Sequence, residues 1–104
     1  LAIGLLASWG DKWNKQWGVG PEIFTPENAR AFGEFLGKRY ADKPIVWIMG
    51  GDRDCVEEAD YQVIRAMVEG IKKTDKGKHL FTFHPQGGKS SSDFFKEDAW
   101  VDFH

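Results

Sequence analysis

The sequence contains little cysteine, which excludes a fold held together by internal disulfides and limits the chance of a catalytic thiol. Cys55 is the only cysteine among 104 residues, so the chain cannot form an internal disulfide. A single thiol can act as a nucleophile when a base and a positive field activate it. The neighbours Asp54, Glu57 and Glu58 of Cys55 in sequence are acidic, and their negative charges would raise the thiol pKa. We therefore expect Cys55 not to be catalytic.

Long apolar runs, an excess of one charge and nucleotide-binding loops are also missing. The apolar run at residues 1–6 is far shorter than the ~20 residues of a membrane-spanning helix. The net charge is -2 with 29% charged residues, which favours neither a nucleic acid nor an anionic membrane as a partner. Residues 18–20 approach the dinucleotide fingerprint but lack its third glycine. We expect no cofactor and no membrane span.

Aromatic residues, by contrast, are abundant, with 5 Trp and 8 Phe. Trp9 directly follows a predicted strand and could form a platform on which a flat sugar ring stacks. Trp13 and Trp17 are four residues apart, and we interpret them as a local hydrophobic cluster. The phenylalanines are predicted to fill the core.

Short apolar runs predict a set of buried strands separated by helices. A continuous apolar run typifies a strand that is covered on both faces, as in a parallel sheet. In the third run Phe81 and Phe83 alternate with Thr82 and His84, so the two pairs should lie on opposite faces. The predicted strands comprise residues 1–8, 45–49 and 79–84, with a fourth beginning at Trp100.

Two helices are predicted between these strands. Thr25 can cap the first helix, Pro26 suits its first position, and Glu27 complements the helix dipole. Its predicted apolar face consists of Ala29, Phe32, Phe35, Leu36 and Tyr40. The second helix should cover residues 58–74, with an apolar face formed by Tyr61, Ile64, Met67, Val68 and Ile71. A polar loop and a short turn around residues 93–98 complete the pattern.

This alternation predicts an α/β fold with parallel strands and right-handed crossovers. An open doubly wound sheet and an eight-stranded (β/α)₈ barrel share the pattern. We favour the barrel because the polar residues of interest all follow strands, where barrels place their active sites. The sequence starts without Met and ends within a predicted strand, so we expect residues 1–104 to be one partial barrel domain, truncated at both ends and inactive on its own.

The candidate site residues follow the predicted strands. Asp52 ends the most hydrophobic strand after two glycines, a position suited to a general acid. The alternative is a structural carboxylate that caps the next helix or pairs with Arg53. His84 has the same position one strand later, where it could bind a sugar hydroxyl, and His104 extends the fourth strand in the same sense. The three histidines lack metal-ligand spacing, so we expect no metal site.

The motifs at residues 9–13, 17–29 and 47–53 together resemble the apiosidase-like glycoside hydrolases. The resemblance implies a (β/α)₈ barrel of which this chain forms about strands three to six. It also implies hydrolysis of glycosidic bonds in plant-type or other complex polysaccharide, in a secreted or periplasmic protein. After Arg53 the sequence differs from the usual motif of the family, at Asp54 and Cys55. We expect this difference to affect substrate contacts near that loop.

The resemblance also assigns roles to individual residues. Asp52 matches the position of the acid/base carboxylate, and the partner carboxylate would lie outside this chain. We expect the substrate to contact Trp9, Arg53, His84 and His104. The expected partners of the chain are this carbohydrate substrate and the remainder of its own barrel. Glu22 lies in a matching motif and is interpreted as structural or substrate-binding.

Other classes of protein stay open at this point. The chain could belong to a non-catalytic carbohydrate-binding or scaffold barrel that keeps the aromatic platform without the chemistry. A different barrel hydrolase, such as a metal-dependent enzyme, is a third possibility. An acidic residue after a seventh strand would distinguish the hydrolase from the scaffold.

Overall fold

The computed structural model describes residues 1–14 and 21–104, which form a mixed α/β unit around a parallel sheet. The strands are β1 (Ile3–Leu6), β2 (Ile45–Gly50) and β3 (Phe81–His84), in that order across the sheet. Both strand pairs are parallel, as predicted. The helices are α1 (Pro26–Arg39), α2 (Glu58–Asp75) and the short α3 (Ser92–Phe95), and a 3₁₀ turn covers Gly10–Lys12.

Helix α1 begins where the sequence predicts. The Thr25 hydroxyl accepts a hydrogen bond from the Asn28 amide at 3.2 Å, and the Asn28 side chain accepts one from the Thr25 amide at 2.8 Å. This reciprocal pair satisfies two amides that a helix start otherwise leaves without partners. Helix α2 matches its prediction to within one residue.

The contact between α1 and α2 is made by small residues. A Cβ atom on Gly33 or Gly37 of α1 would collide with the α2 backbone, and one on Gly70 of α2 would collide with α1. The helices can approach this closely only because these positions have no side chain. One residue of the predicted apolar face is therefore misassigned: Phe35 is 58% exposed, because the packed side of α1 passes through its glycines.

The two faces of the sheet differ in burial. One face packs under the helices in the hydrophobic core, and its β2 and β3 members are Trp47, Met49, Phe81 and Phe83. Thr82 and His84 alternate with the core residues of β3 and are half-buried and exposed, respectively. The predicted division of β3 into an apolar and a polar face is thus confirmed.

The predicted fourth strand is wrong for residues 100–104, which form no strand in the structure. The Asp102 amide does donate to the Phe81 carbonyl at 2.9 Å, but the Asp102 carboxylate accepts the Phe81 amide at the same distance. A side chain thus takes the place of the backbone acceptor that a strand ladder would use. Within the described parts of the chain, no helix is long and apolar enough to span a membrane.

Candidate active site at the carboxyl ends of the strands

The loops that follow the three strands meet at the carboxyl end of the sheet. The Gly10 amide, after β1, donates to the Gly51 carbonyl at 2.9 Å. The Asp52 amide, after β2, donates to the carbonyl of His84 at 3.3 Å. Parallel strands bring their carboxyl ends to the same edge, and here backbone hydrogen bonds fix the relative positions of Gly10, Asp52 and His84.

The pair of glycines before Asp52 permits this close approach. Gly50 and Gly51 have φ values of 102° and 97°, a region that residues with side chains rarely adopt. A Cβ atom on Gly51 would lie 2.6 Å from the Ser8 carbonyl oxygen, and one on Gly50 would lie 2.7 Å from that of His84. The two glycines therefore let the loop after β2 pack between its neighbours.

Asp52 itself has a left-handed backbone, with φ of 64°, and its side chain is half-buried. Aspartate tolerates this conformation better than most residues, yet it still costs free energy. Strained residues of this kind concentrate at functional sites. The loop thus holds a carboxylate at the rim of the sheet in a conformation that the surrounding contacts maintain.

Arg53 lies beneath this loop. Its side chain is fully buried, and its Nη1 donates to the Asp52 carbonyl oxygen at 2.9 Å. The stem packs against Gly10, where a Cβ atom would overlap the Arg53 side chain. A guanidinium in this position supports the loop from inside, and its contact with a substrate stays a prediction.

His84 and His104 line one groove of about 390 Å³, although residues 100–104 do not form the strand on which His104 was predicted to lie. The Ser91 hydroxyl lies 2.6 Å from Nδ1 of His104, so this hydrogen bond orients the ring. The remaining lining of the groove includes Ile48, Thr82, Gln86, Lys89 and Ser90. Hydroxyl, imidazole and ammonium groups can all bind the hydroxyls of a sugar.

The structure does not bring every predicted site residue into this groove, and Asp52, Trp9 and Glu22 are not among its lining residues. Trp9 is 49% exposed, and its Cα lies close to Gly51, so it borders the Asp52 loop. Glu22 lines a separate groove of about 350 Å³ together with Trp13 and Asp60. Its contact with substrate stays a prediction.

Trp13 is 3% exposed, and its indole donates to the Gly50 carbonyl at 2.8 Å. It is a core residue that also anchors the loop after β2. Trp17, the predicted partner of Trp13, lies outside the described residues, as do the glycines at positions 18 and 20.

Sequence reasoning did not identify Asp54 and Lys89 as a pair. The Lys89 ammonium lies 2.6 Å from the Asp54 carboxylate, which also accepts the Gln86 amide at 3.0 Å. The hydrogen bond with Asp54, and then the negative charge of that carboxylate, raise the pKa of Lys89. No spacing rule pairs residues 35 positions apart, so the sequence contained no signal for this pair.

Cys55 is buried, and the acidic neighbours named from the sequence are not the main cause of its shifted thiol pKa. Desolvation raises the pKa of its thiol, and the negative charge of Asp60 raises it further. A thiol held in its neutral form is a poor nucleophile. Among the described residues, no group of three or more Cys, His, Asp or Glu side chains is arranged to hold a metal ion.

Comparison with known proteins relates this chain to glycoside hydrolases. The model of the apiosidase-like catalytic domain matches residues 1–104. A crystal structure of a glycoside hydrolase family 5 protein from Bacteroides vulgatus is 33% identical, with a TM-score of 0.78 over 99% of this chain. A second solved structure, described as a glycoside hydrolase, is also 33% identical, with a TM-score of 0.79 over 99% of this chain.

This chain spans 21% of the length of each of these two solved chains. No curated protein matches the sequence. Because the family model covers every residue, the chain belongs to the apiosidase-like catalytic-domain family.

Proposed function

We propose that this chain is part of a glycoside hydrolase that cleaves glycosidic bonds in complex, plant-type polysaccharide. The parallel sheet, its relatives among glycoside hydrolases and its 21% share of their length support a (β/α)₈ barrel of which these three strands form a part. The other strands would complete the pocket, so we expect the 104 residues alone to be inactive.

The observation that carries the proposal is the convergence of the three loops on Asp52. Asp52 follows the central strand, and its backbone amide donates a hydrogen bond to the His84 carbonyl. The preceding Gly51 packs against Trp9. We assign Asp52 as the general acid that protonates the oxygen of the leaving sugar. A second carboxylate, outside this chain, would act as nucleophile or base, and its distance from Asp52 would decide whether the anomeric configuration is retained.

The neighbouring residues would hold the sugar for this step. His84 and His104 can hydrogen-bond sugar hydroxyls in the groove, and the exposed face of Trp9 can stack on a ring. Arg53 is buried under the loop, so we propose that it keeps Asp52 in place rather than touching the substrate. The pocket would thus combine one proton donor with polar and aromatic binding surfaces.

The test is Asp52→Asn in the full-length enzyme. Asparagine tolerates the left-handed backbone of this position and cannot donate the proton, so the change isolates the chemistry from the fold. Loss of a positioned acid should lower turnover of a natural glycoside by ~10²–10⁴-fold. Asp42→Asn is a matched control, because the Asp42 side chain is 91% exposed and lies away from the site.

Near-wild-type turnover by Asp52→Asn would remove the assignment of Asp52 and leave another carboxylate to act. A full-length wild-type protein that binds oligosaccharide and hydrolyses none would instead favour the non-catalytic carbohydrate-binding barrel.

A further inference from the structure

Asp54 connects the loops after all three strands. Its carbonyl oxygen accepts a hydrogen bond from the Asn14 side chain, in the loop after β1, at 2.9 Å. Its carboxylate accepts the Gln86 amide at 3.0 Å and the Lys89 ammonium at 2.6 Å, both in the loop after β3. One residue of the loop after β2 is therefore bonded to both neighbouring loops.

The burial of the carboxylate makes this more than an ordinary surface ion pair. The Asp54 side chain is 10% exposed, whereas that of Lys89 is 52% exposed. A carboxylate withdrawn from water needs compensating hydrogen bonds, and both of its oxygens have one here. The pair thus has a buried anchor on Asp54 and a solvent-facing cation on Lys89.

The segment bound by Asp54 forms one wall of the groove. Residues 85–91 follow His84, and six of these residues line the groove. Ser91 at the end of the segment is 2% exposed and orients the His104 ring. A displacement of this segment would move Lys89 and the Ser91–His104 pair together.

We propose that Asp54 is a positioning residue for substrate binding. By holding the Gln86 amide and the Lys89 ammonium, it fixes residues 85–91 so that Lys89 and His104 present their hydrogen-bonding groups to the sugar. Asp54 does not touch the substrate. The proposal rests on the proposed glycoside hydrolase function, and it makes the loop after β2 a determinant of substrate binding.

The kinetic test uses Asp54→Asn and Asp54→Ala in the full-length enzyme with a soluble oligosaccharide substrate. Asparagine can still accept the Gln86 amide but loses the ion pair, and alanine loses both bonds. Asp54→Asn should raise KM about 3–10-fold with kcat changed by less than about twofold, and Asp54→Ala should raise KM further. Lys89→Met loses both the ion pair and the ammonium that would bind the sugar, so it should raise KM at least as much as Asp54→Asn. Lys89→Arg, which keeps the cation, should restore most of the affinity.

Lys78→Met is the matched control, since Lys78 forms an exposed pair with Asp42 at the other end of the sheet, at 3.4 Å. Its kinetic constants should equal those of the wild type. Unchanged KM in both Asp54 variants, or equal changes in Lys78→Met, would overturn the proposal.

A second readout does not depend on catalysis. Amide hydrogen exchange across residues 85–91 should speed up at least about tenfold in Asp54→Ala, because the Gln86 amide loses its acceptor. Unchanged exchange would overturn the positioning role. If wild-type enzyme hydrolyses no glycoside, the proposed function fails, and the exchange measurement still decides whether Asp54 holds the loop.

Discussion

His79 lies two residues before strand β3 and His84 is its last residue, and these two histidines have opposite environments. At the amino end, the His79 ring lies between the Asp75 carboxylate, at 3.1 Å from Nδ1, and the Lys43 carbonyl, at 2.8 Å from Nε2. Its side chain is 7% exposed and packs edge-on against Trp47. At the carboxyl end, His84 is exposed and lines a groove.

Two aspartates, Asp75 and Asp52, differ in burial in the same way as the two histidines. Asp75, at the amino end, is fully buried and accepts hydrogen bonds from His79 and the Gly77 amide. Asp52, at the carboxyl end, is only half-buried and has a left-handed backbone. The same residue types are therefore buried and hydrogen-bonded at one end and more exposed at the other, which is the end where we propose that a ligand binds.

The largest difference in stability between the two ends should come from two glycines. Gly51→Ala places a Cβ atom 2.6 Å from the Ser8 carbonyl oxygen at a φ of 97°, whereas Gly77→Ala, at a φ of 72°, meets no atom within 4 Å. We expect Gly51→Ala to cost about 2–5 kcal/mol of unfolding free energy, from strain and steric overlap together. Gly77→Ala should cost only about 1–2 kcal/mol, from backbone strain alone.

Thermal melts of the full-length variants, with turnover measured on the folded fraction, will test this pair. Gly51→Ala should also lose activity because Asp52 moves with its loop. Equal melting temperatures for the two variants would contradict the close packing at the carboxyl end.

Next in size is the contrast between the histidines. His79→Ala leaves the buried Asp75 without one of its donors, so it should destabilise the protein by about 1–3 kcal/mol while the folded enzyme keeps its specific activity. His84→Ala should lower kcat/KM about 10-fold with little change in melting temperature, since its side chain is exposed and one hydrogen bond to a charged or polar ligand group contributes about that much.

Paired melting curves and steady-state kinetics measure both effects at once. Loss of stability in His84→Ala with normal specific activity would make His84 a structural residue and end the contrast.

The smallest effect should be that of Trp9→Ala. The indole is 49% exposed, so its removal should leave the melting temperature nearly unchanged. Loss of a stacking surface should raise KM about 3–10-fold, in line with the energy of a single aromatic contact. Phe35→Ala is a control of similar exposure on helix α1, and it should leave KM as it is. An equal KM in both variants would remove Trp9 from the binding surface.

Local signals in the sequence predicted most of the secondary structure. Thr25 and Pro26 marked the start of α1, and the apolar runs marked all three strands. The packing between elements was not predictable in the same way: the glycine contact of α1 with α2 depends on Gly70, more than 30 positions from its partners. The fourth strand was predicted from apolar residues, while the side chain of Asp102 took over the hydrogen bond that defines pairing.

For the candidate site too, the sequence predicted the local positions of residues but not the contacts between distant ones. The order of strands and loops was enough to predict that Trp9, Asp52 and His84 follow strands, because that depends on local pattern alone. The burial of Arg53 and the bond between Asp54 and Lys89 arise where loops from different strands meet. Such contacts depend on how the loops pack, and no local pattern encodes them.

The central claim is that Asp52 donates a proton to the leaving group, and the dependence of Asp52→Asn on the substrate tests it most directly. A nitrophenyl glycoside has a leaving group that needs no protonation, so the variant should cleave its bond at a rate much nearer to that of the wild-type enzyme. The natural glycoside should lose ~10²–10⁴-fold in turnover. An equal loss on both substrates, or no loss on the natural one, would contradict the role of Asp52 as the general acid.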